Sequence, residues 1–212
     1  MIPALGKAIP RAQRWALHIK QVVPLQLCRE LIHETEQIGY QTALVNQHDG
    51  SKRFDKHVRH NLRVELYRPS LADKLLKLCH AHLPHTVIVP HHLLLPPTQK
   101  KPSERRALVN LNSHMRFSKY IDMDGHFFAP HADMSVPDDD ASSASLLTLQ
   151  VYLNDDYSGG ETSLQRSSPN EWKDVGPIHA GDLLLFDHSL VHRANPVVLG
   201  TKYTLRSDVF YK

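Results

Sequence analysis

The sequence predicts an α+β fold in which a helical N-terminal half supports an all-β C-terminal half. Two observations lead to this prediction. Apolar residues recur at helical spacing in two segments before residue 84, whereas short β-prone runs alternate with turns from residue 107 onward. The chain has 212 residues, 41% of them hydrophobic and 22% charged, which suits one domain with a packed core. We therefore expect a single domain over residues 1–212.

The N-terminal half is predicted to contain two amphipathic helices. Pro24 opens the first, over residues 25–38, and Gly39 closes it. Leucines at helical spacing form the apolar face of the second, over residues 70–83. The remaining segments are interpreted as β-prone at 15–23 and 40–46, as a polar, basic loop at 47–62, and as an irregular, proline-rich connector at 84–106.

The C-terminal half is predicted to consist of many short strands. Candidate strands cover residues 114–121, 127–132, 144–153, 161–165, 175–179, 182–187, 191–198 and 201–211. Glycines lie between many of them, as in the Gly159-Gly160 pair. Strands at this spacing are typical of a β-sandwich or barrel.

Composition excludes several classes of protein. Lys and Arg (25) exceed Asp and Glu (22) by three, a charge that gives no support to nucleic-acid binding. Two cysteines, Cys28 and Cys79, are too few for a disulfide framework or a cysteine-rich zinc site. No apolar run reaches the roughly 18 residues of a membrane span, and the first 20 residues lack a signal-peptide pattern. We expect no membrane partner and a cytoplasmic location.

Histidine is unusually frequent, with 16 residues, and one of them begins the tripeptide His131-Ala132-Asp133. On a strand, residues i and i+2 point to the same face, so an imidazole and a carboxylate can meet one ion there. An HxD tripeptide alone is a weak signal in a chain so rich in histidines and acids. His192, 59 residues after Asp133, is the candidate third ligand, and two histidines with one carboxylate form the facial triad of non-haem Fe(II) oxygenases.

Two basic residues follow this candidate triad on the last strand. Lys202 lies ten residues after His192, and Arg206 lies four residues further, on the same strand face. A carboxylate-bearing co-substrate that chelates the iron needs such a cation at its far end.

Three segments together resemble the 2-oxoglutarate/Fe(II)-dependent dioxygenases, within them the prolyl-4-hydroxylase-like branch. They are RFSKYIDMDGHFFAPHAD (116–133), SLLTLQVYLNDDYSGGETSL (145–164) and AGDLLLFDHSLVHRANPVVLGTKYTLRSDVF (180–210). The resemblance implies a double-stranded β-helix (a cupin-like jelly roll) over 114–211, with residues 1–113 supplying helical support and a substrate-side loop.

The resemblance also implies roles for particular residues. His131, Asp133 and His192 match the iron ligands. Lys202 matches the residue that pairs with the C5 carboxylate of 2-oxoglutarate, and Tyr120 is similar to a tyrosine that bonds the same carboxylate. Arg206 is a further candidate for binding 2-oxoglutarate, and whether it or Lys202 holds the C5 carboxylate stays open.

Candidate substrate-binding residues lie in two places. The loop with Arg59, Asn61 and Arg63 occupies the position at which prolyl-hydroxylase relatives have a mobile substrate-covering loop. Arg116 shares a strand face with Tyr120 and can point into the barrel. A basic loop of this kind suits an acidic or backbone-rich substrate, and the alternative, which the pattern favours, is a solvated basic surface.

The function implied is hydroxylation of a substrate C–H bond, coupled to decarboxylation of 2-oxoglutarate to succinate. The implied cofactors are Fe(II), 2-oxoglutarate and O₂, with ascorbate as reductant. The substrate is a prolyl or other protein or peptide residue, or a small molecule. The alternatives are a catalytically silent jelly-roll metal-binding module and a cupin-type isomerase or sugar-binding protein. The sequence leaves the oligomeric state open.

Overall fold

The computed structural model describes residues 9–10, 15–46, 51–89, 104–138, 140–166 and 168–212. Two α-helices, α1 (Leu25–Ile38) and α2 (Pro69–Cys79), precede a short 3₁₀ turn at His80–His82. The strands are β1 (Ile9–Pro10), β2 (Ala16–Ile19), β3 (Gln41–Thr42), β4 (Val45–Asn46), β5 (Lys52–Arg53), β6 (Arg59–His60), β7 (Leu62–Tyr67), β8 (Thr86–Val89), β9 (Glu104–Leu111), β10 (His114–Ile121), β11 (Phe127–His131), β12 (Ala144–Tyr152), β13 (Ser158–Gly159), β14 (Thr162–Gln165), β15 (Trp172–Asp174), β16 (Leu183–Asp187), β17 (His192–Ala194), β18 (Val197–Leu199) and β19 (Thr201–Tyr211).

Two main sheets form a jelly roll. In the described part of the chain, the larger sheet has ten strands, with a path β1-β8-β9-β19-β10-β7-β3. A branch of the same sheet runs from β19 through β12 and β16 to β2. The smaller sheet has the order β15-β14-β17-β11-β6. The fold confirms the expected double-stranded β-helix with N-terminal helices.

The larger sheet has one apolar face and one mixed face, which carries a small apolar cluster and the polar residues of a cavity. On strand β12, Leu147, Leu149 and Val151 join the main hydrophobic core with residues of both helices. The intervening Thr148 and Gln150 face the other sheet, because side chains alternate along a strand. The helices therefore cover the apolar face, and a polar cavity lies between the two sheets.

Helix α1 has the predicted bounds. It follows Pro24 and ends at Gly39, whose φ of 88° is left-handed and whose N–H donates to the Thr35 carbonyl at 3.1 Å. Leu27 and Leu31 are buried, whereas Ile38 at the end of the helix is exposed.

The β-prone segments 15–23 and 40–46 contain β2, β3 and β4, but the N-terminal half also supplies strands that the sequence pattern did not predict. Strand β7 begins at the end of the predicted loop and pairs with β10, and β6 pairs with β11. The predicted irregular connector contains β8 and part of β9, which pair with each other. These strands are set by partners far away in the chain. Residues 47–50 and 90–103 of these two segments lie outside the described residues.

A smaller error concerns the predicted strand at 175–179. The structure places strand β15 earlier, at Trp172–Asp174, where it pairs with β14. No helix in the described ranges is long and apolar enough to cross a membrane.

Truncation of the main core should destabilise the protein strongly. Leu149 is 0% exposed, so Leu149→Ala should lower the free energy of unfolding by about 3 kcal/mol through lost burial and a cavity. The matched control is Leu199→Ala on strand β18, where the side chain is 67% exposed and the cost should stay within about 0.5 kcal/mol. Urea unfolding measures both changes. Equal losses in the two variants would contradict the assigned core.

Candidate active site

Three predicted ligand residues meet in the cavity between the sheets. The cavity has a volume of about 320 Å³ and is lined by residues of both sheets, among them His131, Asp133 and His192. Nε2 of His131 lies 3.9 Å from Asp133 Oδ1, and Nε2 of His192 lies 3.8 Å from Asp133 Oδ2. One potential ligand atom from each residue lies within 4.8 Å of the others, the only such group in the described ranges. The geometry suits a single shared ion.

Strand pairing brings these residues together. Strands β11 and β17 are antiparallel neighbours, with His131 opposite His192 after a bulge that follows Phe128. Asp133 comes after the end of β11, not on the strand as the simple i, i+2 argument assumed. Its N–H donates to the His188 carbonyl at 2.8 Å, which fixes the backbone there.

Backbone carbonyls orient both imidazole rings. Nδ1 of His131 lies 2.8 Å from the Ala129 carbonyl oxygen, and Nδ1 of His192 lies 3.0 Å from that of Leu190. A carbonyl can only accept, so each Nδ1 carries the proton and each Nε2 has its lone pair free toward the cavity. Metal-ligating histidines are commonly held in this way.

The charge states of the three residues suit a divalent cation. Burial, followed by the neighbouring His192, lowers the pKa of His131 to about 3, and burial also lowers the pKa of His192. Burial alone would raise the pKa of Asp133, but the Arg206 guanidinium and the two imidazoles outweigh it and hold that pKa well below its usual range. Neutral imidazoles and an ionised carboxylate are the forms that bind a metal.

Asp133 is held by side chains that the sequence analysis did not single out. Thr148 donates its hydroxyl to Asp133 Oδ2 at 2.5 Å, and Nδ1 of His188 lies 2.9 Å from the same hydroxyl oxygen. Because the hydroxyl has one proton, already used for Asp133, the His188 ring is the donor to Thr148. The two polar residues at alternate positions, Thr148 and Gln150, in a mostly apolar run of strand β12 were the signal available for Thr148.

Lys202 is the deepest cation of the site. Its side chain is 1% exposed, and its ammonium donates to the Gly160 carbonyl at 2.7 Å. The ammonium lies 5.5 Å from the ring centre of Tyr120 and 5.4 Å from that of Tyr152. Within the described residues no carboxylate lies within ion-pair distance of it. This buried cation therefore has room for a carboxylate partner.

The Gly159-Gly160 turn is required by this arrangement. Both residues have positive φ values of 70° and 65°. A Cβ on Gly160 would lie 2.8 Å from Val197 Cγ2 and 3.4 Å from Lys202 Cδ. Only glycine leaves space for Lys202 to reach the carbonyl of this turn.

Arg206, also a candidate for 2-oxoglutarate, is engaged by two carboxylates. Its Nη1 donates to Asp133 Oδ1 at 2.5 Å, and its Nη2 donates to Asp208 Oδ1 at 3.0 Å. Arg116, directly opposite on β10, donates to the other Asp208 oxygen at 2.9 Å. The buried Asp208, which the sequence analysis missed, thus offsets two adjacent guanidinium groups. The four residues form one charge network beside the candidate metal centre.

The candidate substrate residues divide into two kinds. Arg59, Arg63 and Arg116 line the cavity, and Arg63 forms an ion pair with Glu65 at 3.0 Å. Asn61 is buried and lies beside the cavity, and its side-chain oxygen accepts from Arg59 Nε at 2.6 Å. Asn61 is thus placed to orient Arg59.

A jelly roll with two histidines and one carboxylate converging in its cavity defines a class, the non-haem iron proteins with a facial triad. Residues 115–207 match the family model described as the 2OG-Fe(II) oxygenase superfamily. This match to the 2OG-Fe(II) oxygenase superfamily agrees with the resemblance that the motifs predicted. The superfamily implies Fe(II), 2-oxoglutarate and O₂ as cofactors.

Solved prolyl hydroxylases have the same fold. A prolyl-4-hydroxylase from Pseudomonas putida is 17% identical, with 93% of each chain covered and a TM-score of 0.60. A prolyl hydroxylase from Trichoplax adhaerens, in complex with a hypoxia inducible factor peptide fragment, is 14% identical, covering 94% of this chain and 84% of its own, with a TM-score of 0.62. A viral collagen prolyl hydroxylase from Paramecium Bursaria Chlorella virus-1 is 17% identical. The match covers 94% of this chain and 97% of the viral chain, with a TM-score of 0.54.

The titration of Lys202 should set an alkaline limit on the binding of 2-oxoglutarate. Burial lowers the pKa of Lys202 to about 8, below its ordinary value. The ammonium predominates below pH 8 and is progressively lost above it, so affinity for 2-oxoglutarate should fall toward a slope of about tenfold per pH unit above pH 8. Calorimetric titration of Mn(II)-loaded protein from pH 6.5 to 9.5 measures this.

The control ligand is 2-oxobutyrate, which chelates through the same oxoacid group but has no distal carboxylate. Its affinity should not share the loss above pH 8. The same alkaline decline for both ligands would show that Lys202 is not its cause.

Proposed function

We propose that the protein is a 2-oxoglutarate- and Fe(II)-dependent hydroxylase. The proposal rests on one observation: the same cavity contains a candidate metal centre and a buried lysine that can bind a carboxylate. His131, Asp133 and His192 converge at one end, and the buried Lys202 lies in the same cavity without a carboxylate partner. A silent metal-binding module has no need of such a lysine.

The cofactors, when bound, supply the oxidative decarboxylation of 2-oxoglutarate and the insertion of one oxygen atom into a substrate C–H bond. The residues of the chain would bind these cofactors and orient them. His131, Asp133 and His192 would hold Fe(II), and Lys202 with the Tyr120 hydroxyl would hold the C5 carboxylate. Burial raises the pKa of Tyr120, so its hydroxyl stays neutral and able to donate. Arg206 is already engaged by two carboxylates, which favours Lys202 for this role.

The residues around Asp133 keep it charged and fixed in orientation. Arg206 and Thr148 each donate to one of its oxygens, and each oxygen retains a further lone pair. In this superfamily a carboxylate at this position favours hydroxylation, since halogenating relatives lack it and leave room for chloride.

A prolyl or other protein or peptide residue is the proposed substrate class. Prolyl hydroxylases of the same fold support it, one of them in complex with a peptide fragment. A small molecule is the alternative, and ascorbate is the proposed reductant.

Loss of the carboxylate ligand should abolish turnover. Protein with Fe(II), 2-oxoglutarate and ascorbate should form succinate, slowly alone and faster with substrate, and Asp133→Ala should lower the rate at least about 100-fold. Mass spectrometry of succinate measures the rate. The control is Asp73→Ala, which removes an exposed carboxylate of helix α2 and should leave the rate unchanged.

Two results would contradict the proposal. Full activity in Asp133→Ala would exclude this residue as an iron ligand. The absence of succinate from the wild-type protein, with every peptide and metabolite pool and without any substrate, would favour a silent binding module.

A further inference from the structure

Some cations of the cavity have an ion-pair partner, and others have none among the described residues. Asp133 is the only acidic residue of the described cavity lining. The basic residues of that lining are more numerous: Arg59, Arg63, Arg116, Arg193, Arg206 and Lys202. Arg116 and Arg206 share Asp208, and Arg63 pairs with Glu65. The other cations of the lining have no ion-pair partner among the described residues, and each needs a separate account.

One of the remaining cations points away from the site. Arg193 is adjacent to His192 on strand β17, so its side chain leaves by the opposite face of the strand. There its guanidinium lies over the Trp172 ring, 4.4 Å from the ring centre. The unpaired cations on the cavity face are therefore Lys202 and Arg59.

Arg59 is held in place by neutral groups. Its Nε donates to Asn61 at 2.6 Å, and its guanidinium carbon lies 4.4 Å from the centre of the Phe128 ring. Its other described hydrogen bond is a long one, from Nη2 to the Ser118 hydroxyl at 3.5 Å. No carboxylate of the described residues forms an ion pair with it. The stack and the Nε bond fix the plane of the group and leave its Nη atoms available to a planar anion.

The position of Arg59 relates it to the candidate metal centre. Strand β6 pairs with β11, with Arg59 opposite Phe128. The Phe128 ring is in turn stacked on the His131 imidazole, with ring centres 3.6 Å apart. A molecule bound to Arg59 would therefore lie close to the proposed iron ligands.

An unpaired cation in this position is electrostatically costly. Burial, against an opposing effect of Tyr120 and with the nearby charges of Arg63 and Arg206, lowers the pKa of Arg59 to about 10, so the group remains charged at neutral pH. An anion beside it would relieve this repulsion. With the 2-oxoglutarate C5 carboxylate assigned to Lys202 under the proposed function, Arg59 is left available to a second anion.

We propose that Arg59 binds a carboxylate or phosphate group of the substrate, so that the enzyme acts on anionic substrates. This rests on the proposed function, since it assigns the substrate class of the same site. The anionic group belongs either to an acidic residue near the oxidised position of a peptide or to a small organic acid or phosphate ester.

The first experiment measures anion binding without turnover. Protein loaded with Mn(II) and 2-oxoglutarate is mixed with acetate or with acetamide, its neutral isostere, and the metal-induced relaxation of the methyl protons is followed by NMR. Acetate should be relaxed more strongly than acetamide in the wild-type protein. This preference should disappear in Arg59→Gln and persist in Arg53→Gln, which removes an exposed arginine of the neighbouring strand β5.

The second experiment identifies the source of the anion. Pools of proline-containing peptides that differ only by Glu or Gln, organic acids with their amides, and phosphate esters with their alcohols are tested for stimulation of succinate formation. The stimulating compounds should be anionic. For these, Arg59→Gln should lower kcat/KM about 100-fold, with the KM for 2-oxoglutarate within about twofold of wild type. Arg59→Lys, which keeps the charge, should recover part of the loss.

Three results would overturn the proposal: no preference for acetate in the wild-type protein, a preference that survives in Arg59→Gln, or neutral substrates turned over as well as anionic ones. A raised KM for 2-oxoglutarate in Arg59→Gln would assign Arg59 to the co-substrate and also overturn it. Acetate preference without any succinate formation would instead support the anion site and contradict the hydroxylase function, so the two failures are distinguishable.

Discussion

The alternation of side chains along strand β19 is the constraint on which the rest of the structure depends. The strand is hydrogen-bonded along both edges, to β12 on one side and to β10 and then β9 on the other. Leu205 and Val209 therefore enter the core under the helices, while Lys202 and Arg206 enter the cavity. A shift of one residue in register would bury the charges in the core and expose the leucine to the cavity.

The charges on the cavity side are tolerated because most of them are paired with an opposite charge. Asp208 joins Arg116 and Arg206, and Arg206 extends this pairing to Asp133. Each pairing satisfies a buried group whose desolvation would otherwise be costly. The residues that depart from this pattern, Lys202 and Arg59, are the ones to which the proposals assign ligands.

Much of the fold and of the candidate site could be predicted from the sequence. The predicted strands 114–121 and 201–211 have the bounds of β10 and β19, and spacing together with family resemblance selected His131, Asp133 and His192 from many histidines and acids. Strands β8 and β9 could not be predicted, because their hydrogen bonds come from tertiary partners and a proline-rich segment lies between them. The contacts of Arg206 with Asp133 and of Arg59 with Phe128 depend on which strands become neighbours, and periodicity within one segment carries no information about that.

The ion pair between Arg206 and Asp133 has a consequence for the order in which the protein matures. In zinc fingers and many other small metal-binding domains, ion binding supplies the folding free energy, and the apoprotein is unfolded. Here the carboxylate is already neutralised by a guanidinium and held by the Thr148 hydroxyl, and both imidazoles are anchored to the backbone. The chain can therefore complete its fold first and acquire the metal afterwards, so that loss of the ion leaves an intact protein ready to be reloaded.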